Sequence, residues 1–157
     1  MSLVFATITP HAPLLIPTIG QEAIKKLEKT RSALEHLEKK LYVANPDIII
    51  IISPHGSYFK DAFTINSNPH YKTDLRAFGD LATKMKFSGE HFLSAHIREH
   101  ARKNQLPVTM ISEPNLEHSS SVPLFYLTAH LPKVKIMPVG FCDLDWKTHV
   151  NFGGVIK

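Results

Sequence analysis

Two apolar runs without helical spacing, residues 3–8 (LVFATI) and 47–53 (DIIIIIS), constrain this chain more than any other feature. Both are rich in β-branched residues and bounded by proline, a pattern that fits strands covered on both faces in a parallel sheet. Between them, residues 20–44 read as a helix whose Ile24, Leu27, Leu34, Leu37 and Leu41 recur at helical spacing and face the sheet. Strand, helix, strand implies a right-handed crossover, so the two strands run parallel. Their carboxyl ends then share one edge, which is where open α/β sheets bind ligands.

The rest of the chain continues the alternation. Residues 62–66 (AFTIN) read as a short strand, and residues 70–80 as an irregular loop able to lie over the site. Ser88 is placed to cap a second helix running to about Asn104, and residues 107–111 (PVTMI) follow as a strand. Residues 124–131 read as a third helix ended by Pro132, and 134–139 as a further strand. Strands alternating with helices indicate an α/β class fold, a three-layer α/β/α sandwich around a mainly parallel central sheet. Neither an internal repeat nor a linker interrupts residues 1–157, which read as one domain.

A histidine follows each of the two apolar runs, His11 in Thr9-Pro10-His11-Ala12-Pro13 and His55 in Ser53-Pro54-His55-Gly56. Neutral imidazole is a common metal ligand, and two imidazoles on neighbouring loops supply two positions of a coordination sphere. The alternative is that each caps a turn or bonds backbone after its proline. His96 and His100 lie four apart on a helix, but the zinc-protease pattern requires glutamate directly after the first histidine, and Ile97 stands there. His36, His70, His91, His130 and His149 have no evident partner in the sequence. The single cysteine, Cys142, excludes an internal disulfide and reads as a buried thiol after a strand.

Composition narrows the function classes. Apolar content of 43% and charged content of 20% are those of an ordinary globular protein. The apolar runs are too short to span a bilayer, and the start does not read as a secretory signal, so no membrane partner is expected and the cytoplasm is the default location. The formal charge of +4 raises the question of a nucleic-acid partner. The first helix answers it, because Lys25, Lys26, Lys29, Arg31, Lys39 and Lys40 are interleaved with Glu22, Glu28, Glu35 and Glu38. Glu22 with Lys26, and Glu35 with Lys39, have the favourable acid-first spacing of a solvated helix face, and no nucleic-acid partner is expected.

VFATITPHAPLLIPTIG, then NPDIIIIISPHGSYFKDAFTIN, then NLEHSSSVPLFYL resemble, in order, three motifs of the catalytic chain of class III extradiol ring-cleavage dioxygenases, the LigB-like superfamily. The branch most resembled is the one associated with MEMO-like and AMMECR-type proteins. The resemblance implies that His11 and His55 ligate a non-haem Fe(II). It also implies that His118 lies in the catalytic pocket, as acid/base or substrate contact. There the usual Asp-His-Gly reads Glu117-His118-Ser119; the alternative for His118 is a cap on a helix starting near Ser121. The family's second half, with the carboxylate that completes a two-histidine, one-carboxylate triad, has no counterpart in this chain. The resemblance therefore implies a single incomplete LigB-like domain, and Glu113 and Glu117 are the nearest carboxylates to the third motif.

The activity implied is cleavage of a catechol-type aromatic substrate with O₂. The alternatives are a non-catalytic MEMO-like binding or scaffold protein, and a Zn(II)-dependent hydrolase using the same two histidines. An incomplete sheet exposes an edge that a homo-oligomer or a complementary subunit would cover.

Overall fold

A computed structural model of the chain describes residues 2–157. Residues 2–12 form neither helix nor strand, and a 3-10 turn at Pro13–Leu15 leads into α1 (Pro17–Gly20) and a 3-10 stretch, Gln21–Leu27. The remaining elements are α2 (Glu28–Ala44), β1 (Ile48–Ser53), β2 (Phe63–Asn66), β3 (His70–Thr73), β4 (Lys86–Gly89), α3 (His91–Lys103), β5 (Val108–Ile111), β6 (Asn115–Leu116), α4 (His118–Leu127), β7 (Lys135–Gly140) and α5 (Trp146–Ile156).

Strand β7 is the hub of a mixed seven-stranded sheet. Along its whole length it pairs in parallel with β1, from Ile48 opposite Lys135 to Ser53 opposite Gly140. It also pairs in parallel with β4 at Lys135 and Ile136, and antiparallel with β2 at Val139 and Gly140. Pro138, which lacks an amide donor, falls in the gap that neither β4 nor β2 pairs. Parallel β5 extends the sheet from β2, while antiparallel β3 and then parallel β6 extend it from β4.

Alternation of side chains sends each strand to two cores. Ile50, Met137 and Val139 meet Ile97 and Ala101 of α3 and Phe152 and Val155 of α5. Ile49, Ile51 and Ile136 point the other way, toward Leu41 of α2 and Leu124 and Leu127 of α4. Helices thus cover both faces, which is the three-layer α/β/α arrangement.

Several elements depart from the sequence reading. Residues 3–8 are not a strand: Leu3, Val4 and Ile8 are 66%, 54% and 98% exposed, and Phe5 alone of the run packs against the core, near Leu41, Leu127 and Leu131. An apolar run becomes a strand only where a neighbour accepts its amides, and β1 pairs on one edge only, with β7. The helix expected over 20–44 starts as 3-10, with Gln21 at a φ of 44°, and becomes α-helical at Glu28. Its ion pairs are Lys25 with Glu22 and Arg31 with Glu28 and Glu35, rather than the pairs anticipated from spacing.

Ser88 lies in β4; the cap of α3 is Glu90, whose carboxylate accepts from the amides of Phe92 and Leu93 at 3.0 and 3.4 Å. Helix α4 begins at His118, six residues before the expected start, and carries Pro123 in its interior. That proline, which ordinarily breaks a helix, hides the helix from a sequence reading. The supposed loop 70–80 contains β3, and the short polar strands β4 and β6 carry no apolar alternation to announce them.

Candidate metal centre

Three segments distant in sequence bring one imidazole each to a single point. His11 precedes the Pro13–Leu15 turn, whose amides from Leu15 and Ile16 bond the carbonyls of Ala12 and Pro13 at 3.0 and 2.9 Å. Tyr126 of α4 ties this turn down, donating its hydroxyl to the Leu15 carbonyl at 2.5 Å. His55 lies just past β1, and its amide donates to the Ser53 hydroxyl at 3.2 Å. His118 is the first residue of α4.

One ligand nitrogen from each of the three lies within 4.8 Å of the others. The ring centroids stand 5.1 Å apart for His11 and His55, 4.9 Å for His55 and His118, and 5.7 Å for His11 and His118. An ion bound at about 2.1 Å from each nitrogen needs them within about 4 Å of one another, so modest rotation of the rings closes the set. The donor set fits a divalent transition metal, since imidazole suits iron and zinc alike.

The resemblance implies a pocket role for His118; in the structure its ring stands in one cluster with His11 and His55. Burial pushes its pKa below the ordinary imidazole value; Glu117 opposes that shift, while His55 and His11 reinforce it. A depressed value favours the neutral form that binds metal.

Glu117 is not part of the ligand cluster. Its carboxylate caps α4, accepting from the amides of Ser119 and of Ser120, the latter at 3.0 Å, and from the hydroxyls of Ser120 at 2.6 Å and Ser53 at 2.8 Å. Burial raises its pKa, but the hydrogen bonds from Ser120, Ser119 and Ser53 outweigh that and hold it below the usual range. Glu113 is exposed and removed from the cluster, with its backbone bonded to the Asn66 side chain. His96 and His100 are exposed, and Cys142 is buried in the core beside α5. Glu117 as a cap was not legible because a glutamate cap lacks the Ser/Thr/Asp/Asn signature, and Ser53 and Phe78 were not because their partners, Glu117 and His118, are distant in sequence.

The segment after β3 reaches the centre. The Phe78 ring stands 5.1 Å from that of His118, edge to face, forming an apolar wall. Asp80 anchors this segment: its buried carboxylate accepts from the amides of Ala82 and Thr83 at 2.8 and 3.0 Å and from the Thr18 hydroxyl, in α1, at 2.8 Å. Burial alone would raise its pKa, but the bonds from Thr83, Thr18 and Ala82 prevail and lower it to about 2. A carboxylate with a depressed folded-state pKa contributes stability above its unfolded value of about 4, and loses it as pH falls toward the folded value. Urea denaturation should therefore show Asp80→Asn markedly less stable than the parent at pH 6, with the gap narrowing between pH 4 and 2; a gap independent of pH would contradict this role.

A family profile described as the catalytic LigB subunit of aromatic ring-opening dioxygenase matches residues 5–157. Protein CA_C1420 of Clostridium acetobutylicum is 26% identical over 162 aligned positions, covering 98% of this chain and 35% of that protein. The chain thus spans about a third of the length of the curated relative it matches. Two solved structures of mutant pyrrolidone carboxyl peptidase from the hyperthermophile Pyrococcus furiosus are similar at TM-scores of 0.48 and 0.47, with 13% and 14% identity. Each likeness covers 79% of this chain and 73% of the peptidase, and at that level it bears on neither fold nor activity.

Proposed function

The chain belongs to the family of the catalytic LigB subunit of aromatic ring-opening dioxygenase, and from that premise we propose that His11, His55 and His118 hold Fe(II) at a site that opens catechol-type rings with O₂. The observation that carries the reading is the meeting of three imidazole nitrogens within 4.8 Å, from segments that share no local structure. Iron(II) bound there would supply open positions for both a catecholate and dioxygen, and a Lewis acid favouring the deprotonated phenol.

The protein's part is positioning. Three imidazoles on separate elements, each fixed by its own turn or cap, would hold the ion, and holding both reactants on it would remove much of the entropic barrier to their meeting. Phe78 offers an aromatic ring a flat apolar surface next to His118. Ring opening puts both oxygen atoms of O₂ into the product, with cleavage beside the vicinal hydroxyls.

Anaerobic Fe(II) titration of the chain beside its His11→Ala/His55→Ala variant tests this reading. Stoichiometric binding that disappears in the variant, with catechol-dependent O₂ uptake that disappears alongside, is the expected result; equal binding by both proteins would sink it.

One observation favours a second reading. The cluster is three histidines without a carboxylate among the described residues, and a three-histidine set is also a catalytic zinc arrangement. A Zn(II)-dependent hydrolase would show zinc in the purified protein, hydrolysis of an activated ester and no O₂ consumption.

A further inference from the structure

The end of β1 and the start of α4 are joined by a buried polar link that no ligand role explains. Ser53 closes β1, is buried, and uses its hydroxyl in three directions. It donates to Glu117 Oε1 at 2.8 Å, accepts from the His55 amide at 3.2 Å, and meets the Ser119 hydroxyl. One donor and two acceptor sites are all that a serine hydroxyl has, so its capacity is filled. Glu117 in turn precedes His118, and its Oε2 lies 3.9 Å from His118 Nδ1.

We propose that Ser53 and Glu117 are positioning residues, a clamp that sets the distance between the His55 turn and the first turn of α4 and thereby the separation of His55 from His118. The proposal rests on the reading of the three histidines as a metal centre. Apart from the Ser119 hydroxyl, which meets the same Ser53 oxygen, no other hydrogen bond crosses this gap among the described residues: β1 is hydrogen-bonded in the sheet to β7, whereas α4 lies in the helical layer. Without the link, the two imidazoles would be aligned only by apolar contacts such as Ile49 and Ile51 with Leu124 and Leu127, which tolerate sliding. Hydrogen bonds are directional, and groups that orient the ligands of a metal site commonly govern its affinity.

A control is built into the same carboxylate. The Ser120 hydroxyl also donates to Glu117 Oε1, at 2.6 Å, but Ser120 belongs to α4 and no hydrogen bond joins it to β1 among the described residues. Ser120→Ala removes a bond to Glu117 while leaving the crossing intact; Ser53→Ala removes the crossing while leaving the cap of α4 intact.

The test is titration of the chain with Co(II), followed by its visible absorption and by competition with a chelator, with thermal unfolding as the check on folding. Ser53→Ala should weaken Co(II) binding by about 10-fold or more and shift the visible band, while Ser120→Ala stays within about twofold of the parent with an unshifted band. Equal effects of the two substitutions, or no effect of Ser53→Ala, would overturn the clamp. Should Ser53→Ala fail to unfold cooperatively, Glu117→Asp takes its place: aspartate still caps a helix but is one methylene too short to keep Ser53, and an unchanged band in that variant would equally overturn it. Absence of Co(II) binding by the parent chain would instead defeat the metal-centre reading, and the clamp with it.

Discussion

Alanine in place of His118 should lower metal affinity by about 100-fold or more, equivalent to roughly 3 kcal/mol, without unfolding the chain. The fold is spared because the cap of α4 belongs to the Glu117 carboxylate, and because His118 packs at the rim of the core, against Phe78 and the other two imidazoles. Two histidines remain, and two ligands on a divalent ion leave most of its coordination to water. The measurement is competition against a chromophoric chelator, beside oxygen uptake. It separates two roles that the sequence leaves open. A third ligand takes affinity and turnover down together; a proton-transfer residue leaves affinity intact and lowers turnover alone.

Gly140→Ala should destabilise the protein by about 3 kcal/mol, at the upper end of the usual overpacking range. A Cβ at this position would stand 2.3 Å from Thr64 Oγ1 and 2.9 Å from the Ser57 carbonyl oxygen. The first is a side-chain atom, but it is not free to swing away, since it donates to that same Ser57 carbonyl at 2.9 Å. The second is backbone, in the loop that carries His55. Relief therefore requires either loss of the Thr64 bond or displacement of the loop, and the second would move His55 as well as disturb the sheet. Urea denaturation at neutral pH gives the stability change. A shift below about 0.5 kcal/mol, the scatter of neutral surface substitutions, would show that the end of β7 yields more easily than its contacts imply.

The reach of the sequence can be judged from particular residues. The run 47–53 was legible as a strand because its environment matches its composition: Ile49 and Ile51 feed one core and Ile50 the other. The run 3–8 (LVFATI) is likewise apolar and carries β-branched residues, yet is no strand, since periodicity records which residues prefer burial and not whether a ladder partner is present. His11 and His55 stand out because each follows such a run past a proline, a local signal. His118 is visible as a motif residue, but its place in the three-histidine cluster depends on α4, whose start is masked by Pro123 and by a glutamate acting as cap. Its place beside the other two is a product of the packing of α4 against β1 and against the Pro13–Leu15 turn, a long-range fact that propensity does not encode. The clamp between Ser53 and Glu117 is of the same kind, spanning 64 positions.

The dependence of β1, β2 and β4 on a single late strand sets the order in which this polypeptide can acquire its structure. Ile48 meets Lys135, about 90 residues downstream, and contacts of such separation carry the loop-closure penalty that slows folding. While the chain is being made, the isoleucines of β1 leave the ribosome early and wait without a ladder until β7 emerges. Local helices such as α2 and α3, and the pairings of β2 with β5 and of β3 with β4, can form in that interval; the ladder of β1 cannot. During synthesis the nascent chain therefore passes through a stage in which its most apolar strand is made and unpaired, the stage at which a chaperone would have the most to hold.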